Sequence, residues 1–292
     1  MIPSLELTNG HLGESLTSQY WDDGFLFPLH AVSPEKALDW RQRLEAVERD
    51  YLDGGLPLPL NTYKRVNAQI VMPLAYEIGT EPAILDVVED LLGPDILLYA
   101  SEFFIKEPNT AHLVTMHQDL TYWGLGAIDG LVTAWIALSP ATPASGCMDF
   151  VRGSHKNPIL PHKDSDDPNN LLSRGQEIQV DVAPDDRTTI EIHPGPMSLH
   201  HGLTIHGSGP NTSDDRRIAA VIRYVRPDVV PDGDAEDYGM LVSGQIAGSR
   251  FIDYPPPASD FDPEALQRFD EIRAYQAKIK MAGAKATNDM YG

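Results

Sequence analysis

Two side chains that bind metal ions well, His117 and Asp119, stand two positions apart in the segment HLVTMHQDLTYWG. On an extended strand, residues i and i+2 point to the same face. The imidazole and the carboxylate are therefore expected side by side, as two ligands of one ion require. A third ligand must come from elsewhere in the chain, and His206, in the segment LTIHGSGPN, is the best candidate.

The set of two histidines and one carboxylate indicates a particular chemistry. On one face of an octahedral ion these ligands leave three positions open, which is the arrangement of non-haem Fe(II) oxygenases. The open positions let a co-substrate and O₂ both reach the metal. His200 and His201 are rivals of His206 for the third position, and a zinc ion held by all three histidines is the alternative site.

Alternation along two later segments predicts a cavity that binds anions. In LVTAWIALS one face is wholly apolar and is expected to pack outward against helices; it carries Val132, Ala134, Ile136 and Leu138. The other face carries Trp135 and is expected to line the cavity. In RIAAVIRYV, Arg217 and Arg223 share a face with small residues. A buried guanidinium needs a partner, and a carboxylate bound through two hydrogen bonds would be one.

The motifs HQD, GSHK and HGSGPNTSDDRR resemble the phytanoyl-CoA dioxygenase (PhyH) family of Fe(II)- and 2-oxoglutarate-dependent oxygenases. The resemblance runs from YWDDGFLF to YVRPD, and the separate motifs recur in the family's order. It implies that His117, Asp119 and His206 bind the catalytic iron, with 2-oxoglutarate and O₂ as co-substrates. It also implies a double-stranded β-helix fold, which is a variant of the jelly roll.

The same resemblance places three residues around 2-oxoglutarate. An arginine eleven residues after the distal histidine grips the far carboxylate in that family, which matches Arg217. A tryptophan beside 2-oxoglutarate matches Trp135, and a residue that can bond the same carboxylate matches Ser208. The arginine spacing favours His206 over its two rivals, while Arg216 remains the alternative to Arg217.

Several further residues are candidates for contact with the primary substrate. Tyr122 and Trp123 line the pocket or pack in the core, with equal support from the sequence. Arg223 binds a substrate anion or forms a structural pair. Lys106 shares a strand face with Glu102, where an internal salt bridge competes with ligand binding.

Three other residues have structural expectations. Gln118 lies between the two neighbouring ligands and should point away from the metal to make a structural hydrogen bond. His155 is expected to stabilise a turn. Cys147, the one cysteine, is expected to be a small buried hydrophobe.

Helix signals concentrate near the two ends of the chain. Ser33-Pro34 combines an N-cap residue with a proline at the first helical position, before an apolar face assigned to Leu38, Trp40, Leu44 and Val47. A second helix is predicted over EPAILDVVEDLLG, and a last one from Asp262-Pro263. The polar insert HKNPILPHKDSDDPNNLLSRGQ is expected to be a surface loop and a possible lid.

Short strand-forming runs separated by turn residues follow Pro94 and predict an antiparallel sandwich or barrel. The predicted fold is mainly β with flanking α: a jelly-roll, cupin-like core with N-terminal helices and a C-terminal helix. One domain is expected over 1–292, with a helical scaffold over about 1–93, the jelly roll over about 94–230 and a C-terminal extension over about 231–292.

Composition narrows the class of partner. The formal net charge of −21 disfavours nucleic acid and anionic membranes as partners. The absence of a signal-like N-terminus and the single cysteine point to the cytoplasm. The oligomeric state is left open.

The expected activity is hydroxylation of an unactivated C–H bond, with release of succinate and CO₂. In related halogenases a small residue replaces the carboxylate ligand, so Asp119 favours hydroxylation, with desaturation as the other outcome. The acidic stretch HKDSDDPNNLL of the insert disfavours a CoA thioester, and we expect a small free substrate, neutral or zwitterionic. The alternatives are an acyl-CoA 2-hydroxylase and a non-catalytic cupin-like binding or sensor module.

Overall fold

The computed structural model describes residues 5–121, 123–164, 167–172, 177–232 and 235–280. Within these residues the α-helices are Gly13–Asp23 (α1), Pro34–Asp50 (α2), Leu60–Arg65 (α3), Pro73–Gly79 (α4), Pro82–Leu92 (α5) and Pro263–Lys280 (α6). Each of these helices is too short or too polar to cross a membrane.

The caps of the three predicted helices are confirmed. The Ser33 hydroxyl accepts a hydrogen bond from the backbone N–H of Lys36 at 3.2 Å at the start of α2. The Asp262 carboxylate accepts one from the N–H of Ala265 at 2.9 Å at the start of α6. Gly93 follows α5 with φ 84°, a conformation that disfavours other residues.

The buried face of α2 corrects one assignment. Trp40, Leu44 and Val47 are buried as predicted, but Leu38 is 50% exposed and Ala37 takes its place in the core. In a helix of 3.6 residues per turn, position 37 precedes Trp40 and Leu44 by three and seven residues, so Ala37 lies on their face. Position 38 is rotated toward solvent.

The strands form two principal antiparallel sheets. The strands of the described residues are Phe25–Leu29 (β1), Ile96–Lys106 (β2), Val114–His117 (β3), Leu131–Ala137 (β4), Met148–Val151 (β5), His162–Lys163 (β6), Glu177–Ile178 (β7), Arg187–Ile190 (β8), Met197–His201 (β9), His206–Ser208 (β10), Arg217–Val225 (β11), Asp237–Tyr238 (β12), Met240–Ser243 (β13) and Phe251–Ile252 (β14). The larger sheet has the order β1-β9-β4-β11-β2-β13, and the smaller one β3-β10-β5-β8. The mainly β jelly-roll core with flanking helices is confirmed.

One strand of the larger sheet lies in the region assigned to helices and loops. β1 pairs with β9 in antiparallel fashion, with Phe25 opposite His200 and Leu26 opposite Leu199. Its five residues include Pro28, which cannot donate to a sheet and is confined to edges. Such a short run with a proline carries little strand signal in the sequence.

The two faces of β4 divide as the alternation predicted. The face of Val132, Ala134, Ile136 and Leu138 joins the large apolar core together with residues of the helices. The opposite face places Trp135 and Ala137 in a second cluster between the two sheets. The functional cavity opens from this inner space.

The insert is attached to the barrel where the structure describes it. The backbone N–H of Leu113 donates to Asn169 at 2.9 Å, and the N–H of Leu171 donates to Leu113 at 2.9 Å. Just after the insert the chain forms β7, which pairs with β6 inside the insert. The described part of the insert is therefore held against the barrel by backbone hydrogen bonds.

We expect Leu199→Ala to lower the free energy of unfolding by about 2–5 kcal/mol, because Leu199 is fully buried in the apolar core between β1 and β4. The matched control is Leu52→Ala, since Leu52 is 78% exposed; its effect should stay within about 0.5 kcal/mol. Urea denaturation followed by circular dichroism measures both. Equal effects would contradict this placement of the core.

Candidate functional site

The three expected metal ligands meet at the junction of β3 and β10. His117 ends β3 and lies directly opposite His206, which begins β10. Asp119 Oδ1 is 3.3 Å from His117 Nε2 and 4.0 Å from His206 Nε2. One ligand atom from each residue lies within 4.8 Å of the other two, and all three side chains are buried.

The backbone route to this geometry differs from the one expected. The strand does not continue through Asp119: β3 stops at His117, and Asp119 opens a short 3₁₀ turn over Asp119–Thr121. The predicted extended strand through Asp119 is therefore wrong, although the two side chains do lie together. The turn brings the carboxylate back toward the imidazole.

Backbone carbonyls orient both histidines. The Nδ1 atoms of His117 and His206 lie 2.9 Å from the carbonyl oxygens of Thr115 and Thr204, respectively. A proton on each Nδ1 leaves the Nε2 lone pair free to bind a metal, as in metal-binding histidines generally. Burial, followed by the neighbouring His117, holds the pKa of His206 well below its ordinary value. The neutral form that binds metal is therefore favoured.

The two oxygens of Asp119 have different surroundings. Oδ1 faces the two ligand histidines, whereas Oδ2 lies 3.5 Å from Thr133 Oγ1 and 3.7 Å from both His200 Nε2 and Arg223 Nε. Burial alone would raise the pKa of this carboxyl, but the Arg223 guanidinium, and then the neighbouring His117 and His200 rings, lower it well below its usual range. The carboxylate is thus ionised, with Oδ1 on the metal side.

The rival histidines occupy two different places. His201 points away from the triad: its Nε2 lies 3.2 Å from Asp129 Oδ1, and its Nδ1 accepts from the N–H of Leu203. His200 lines the cavity with its ring 4.7 Å from that of His206. Among the described residues neither nitrogen of His200 has a hydrogen-bond partner. A zinc site made of His200, His201 and His206 is therefore not assembled.

Arg217 is a buried cation in the same cavity. It begins β11 opposite Lys106 of β2, and its Nε and Nη2 have no hydrogen-bond partner in the described part of the chain. Its guanidinium carbon lies 5.6 Å from the ring centre of Phe104 and 5.4 Å from that of Trp135. Two aromatic walls and unused donors make this side chain suited to an incoming carboxylate.

Arg216 takes a different position. Its guanidinium pairs with Glu48 at 2.7 Å and with Glu107 at 2.9 Å on the outer surface. Of the two adjacent arginines, Arg217 is therefore the one that lines the cavity.

Lys106 lies behind the cavity wall and supports Ser208. Its Nζ donates to Ser208 Oγ at 2.7 Å and to the backbone carbonyl of Gly209. Burial, and then the Arg217 guanidinium, lower the pKa of Lys106 to about 6. The salt bridge considered between Lys106 and Glu102 does not form. Lys106 Nζ is directed at Ser208 and Gly209, so the geometry favours a supporting role over direct contact with the substrate. Ser208 does line the cavity.

The cavity contains most of the expected site residues and adds several others. The described residues that line it include the three candidate ligands, Trp123, Trp135, Ser208, Arg217 and Arg223, together with Arg65, Asn67, Glu102, Phe104, Met148, Leu172 and His200. Tyr122 falls outside the described residues.

The expected structural roles of Gln118 and His155 agree with their contacts. Gln118 is fully buried: its amide donates to the carbonyl of Leu203 at 3.0 Å and accepts from the N–H of Leu160 at 2.8 Å. His155 Nε2 lies 3.0 Å from the carbonyl oxygen of Trp21, at the turn that follows β5. Cys147 is buried, as expected.

Among the lining residues that the sequence did not predict are a cation, Arg65, and an imidazole, His200. Arg65 ends α3 in the helical region and carries no motif that marks it. His200 was predicted only as a rival third ligand, and its pairing with Thr133 places it on the inner face of β9. Sheet pairing, which the sequence does not supply, was the missing information.

Comparison with solved structures defines the class of fold. The chain is similar to the apo form of the non-haem monooxygenase ThoJ, with 31% identity and a TM-score of 0.82 over 91% of this chain and 97% of that one. CytC3, solved with Fe(II) and alpha-ketoglutarate, shares the fold at 18% identity and a TM-score of 0.63, over 89% of this chain and 98% of that one. The fold is that of the non-haem iron, 2-oxoglutarate-dependent oxygenases.

Sequence comparison defines the family. The phytanoyl-CoA dioxygenase (PhyH) family model matches residues 20–219, and the chain belongs to that family. A probable phytanoyl-CoA dioxygenase of Caenorhabditis elegans is 32% identical over 54% of this chain and 52% of that protein. A probable alpha-ketoglutarate-dependent hypophosphite dioxygenase of Stutzerimonas stutzeri is 30% identical over 56% and 57%. These matches span about half the length of each relative.

We expect Arg217→Met to stabilise the ligand-free protein by about 1–3 kcal/mol, because it removes a buried guanidinium with unused donors and keeps an apolar side chain between the aromatic walls. Arg216→Met is the matched control and should be neutral or destabilising, since it breaks surface ion pairs. Chemical denaturation without added ligand measures both variants. A loss of stability in Arg217→Met would show that the guanidinium is already satisfied.

Proposed function

We propose that the protein is an Fe(II)- and 2-oxoglutarate-dependent dioxygenase that hydroxylates an unactivated C–H bond of a small organic substrate. The observation that carries the proposal is the presence, in one cavity, of the His117, Asp119 and His206 ligand atoms and the buried Arg217 guanidinium. Each of these features alone, the cluster of two histidines and a carboxylate or the buried arginine, also occurs in proteins of other classes. The two features in one cavity match an iron ion and a dicarboxylate bound to it.

The chain's residues fit iron in their donor types. Two imidazole nitrogens and one carboxylate oxygen leave open positions for co-substrates, and this set suits Fe(II). With 2-oxoglutarate and O₂ bound, the iron would supply the oxidising power, and succinate and CO₂ would be released. The far oxygen of Asp119 lies 3.5 Å from the Thr133 hydroxyl and faces the His200 ring, so a metal would be bound through Oδ1 alone and a position would stay open.

The residues at the other end of the cavity fit 2-oxoglutarate. Arg217 would bind the far carboxylate as a fork, because its Nε and Nη2 are available and burial strengthens a charge-assisted bond. Ser208, held by Lys106, would donate a further hydrogen bond. Trp135 would form an apolar wall and exclude water. Asp119 occupies the position that related halogenases leave small, which supports hydroxylation; desaturation is the other outcome.

The family does not define the substrate. The relatives' names include both phytanoyl-CoA and hypophosphite dioxygenases. A CoA thioester calls for a basic surface around its phosphates, whereas the stretch HKDSDDPNNLL, whose Leu172 lines the cavity, has three aspartates against one lysine. We therefore propose a small free substrate over an acyl-CoA.

Mixing the protein with Fe(II) and 2-oxoglutarate without oxygen should produce a metal-to-ligand charge-transfer band in the visible region. Asp119→Ala should abolish the band at equal iron concentration, because one of three ligands is lost. Arg217→Gln should raise the 2-oxoglutarate concentration needed for half saturation by about tenfold or more, because a charge-assisted bond is lost. A band unchanged in Asp119→Ala would exclude this ligand set.

Under oxygen, the protein should release succinate from 2-oxoglutarate, and small free substrates should raise the rate. A non-catalytic binding or sensor module would release none. An acyl-CoA 2-hydroxylase would respond to a CoA thioester and not to the free acids. Succinate measured by chromatography across matched acids and thioesters separates these three activities.

A further inference from the structure

A second group of charges lies in the cavity next to the metal position. Glu102 Oε1 is 2.7 Å from Arg223 Nη1, and Glu102 Oε2 is 2.9 Å from Arg65 Nε. Arg223 Nε is also 3.7 Å from Asp119 Oδ2, so this group adjoins the candidate iron ligands. We call Arg65, Glu102 and Arg223 the charged triplet.

The charged triplet adjoins the 2-oxoglutarate end of the cavity through Arg65, because the guanidinium carbons of Arg65 and Arg217 lie 4.0 and 5.6 Å from the centre of the same Phe104 ring. Arg217 and Arg223 lie on the same face of β11 near its opposite ends. Six residues of strand separate their backbones by roughly 20 Å. A molecule bound at Arg223 would therefore lie beside the candidate iron ligands and far from Arg217, because Arg223 Nε is 3.7 Å from Asp119 Oδ2.

The cavity as a whole carries an excess positive charge. Its described lining has three guanidiniums, Arg65, Arg217 and Arg223, against the two carboxylates of Glu102 and Asp119. Fe(II) and doubly charged 2-oxoglutarate would add no net charge, so one positive charge remains among the described side chains. The side chains of the triplet are largely buried. A charge in such surroundings is costly without a counter-charge.

Other contacts fix the orientation of the Arg65 and Arg223 guanidiniums, as the binding of a planar anion requires. Arg65 stacks on Phe104 with its guanidinium carbon 4.0 Å from the ring centre, and Arg223 stacks on Trp123 at 4.7 Å. Arg65 Nη2 is further fixed by the carbonyl of Leu171 at 3.1 Å. Burial would raise the pKa of Glu102, but Arg223 and Arg65 lower it, so the carboxylate stays ionised. The triplet is held in place before any ligand arrives.

We propose that the primary substrate is a small organic monoanion whose carboxylate binds at the charged triplet, with Arg65 as the specificity-determining residue. The proposal rests on the proposed function and names its substrate class. It replaces the neutral or zwitterionic substrate expected from the overall charge, because the charge of −21 belongs to the whole chain and the cavity lining is net positive among the described residues.

The position of the triplet also restricts where the substrate is oxidised. Because Arg223 Nε is 3.7 Å from Asp119 Oδ2, a carboxylate bound at the triplet lies close to the metal position. The oxidised carbon is therefore close to the carboxylate, rather than at the end of a long chain. Oxidation there leaves the anionic group intact, so a hydroxy acid is the expected product.

The test compares three probes of equal size and different charge: butyrate, butyramide and butylamine. Each is titrated anaerobically into the complex of the protein with Fe(II) and 2-oxoglutarate, and the shift of the visible band reports binding next to the metal. We expect butyrate to bind at least tenfold more tightly than butyramide, and butylamine not to bind. Equal binding of the amide or the amine, or no shift with butyrate, would overturn the proposal.

Arg65→Gln should weaken butyrate binding by about tenfold to a hundredfold, in line with the loss of one charge-assisted hydrogen bond. Arg65→Lys should fall between, because it keeps the charge and loses the fork. Arg43→Gln is the control. It also removes one positive charge, but Arg43 lies on α2 in an exposed ion pair with Glu77 of α4. Unchanged butyrate affinity in a folded Arg65→Gln protein, verified by circular dichroism, would refute the role of Arg65.

The failure of this proposal is distinguishable from the failure of the proposed function. If no charge-transfer band forms in the unaltered protein, the iron and 2-oxoglutarate assignment fails, and with it the substrate class that rests on it. If the band forms but the probes do not discriminate by charge, only the substrate class is wrong.

Discussion

A buried charge is stable only when a counter-charge lies close to it, and this constraint organises the inner space of the jelly roll. Asp119 has cationic and imidazole neighbours, and Glu102 has two guanidiniums. Arg217, buried between Phe104 and Trp135, keeps unused donors among the described residues. The ligand-free site therefore holds a buried cation whose hydrogen-bond donors are unused. Such a site lowers the stability of the folded protein in return for function.

The fold separates the apolar packing from the charged chemistry by the alternation of its strands. On β4, the outer face carries Ala134 and Ile136 into the core that holds the helices, while Thr133 and Trp135 face the cavity. The helices therefore stabilise the larger sheet from behind. The inner face carries the polar residues of the site beside a smaller apolar cluster, and the outer face offsets the cost of burying them.

Alternation within one strand could be predicted from the sequence, and contacts between strands could not. The faces of β4 and β11 follow from a period of two, which places Arg217 and Arg223 inward. The pairing of Arg216 with Glu48, and the inner position of His200, depend on which strand or helix lies alongside. Arg65 ends a short helix with no periodic signal. Its place in the cavity arises from the docking of α3 on β2, a contact distant in sequence.

Gln118 links the insert to the metal position. It lies between two candidate ligands, and its buried amide holds Leu160 at the base of the insert and Leu203 just before β10. The backbone N–H of the same residue donates to His162. Any rearrangement of the insert that breaks these bonds must disturb the backbone that joins His117 to Asp119. The placement of the insert and the spacing of the candidate ligands are thus connected through a single residue.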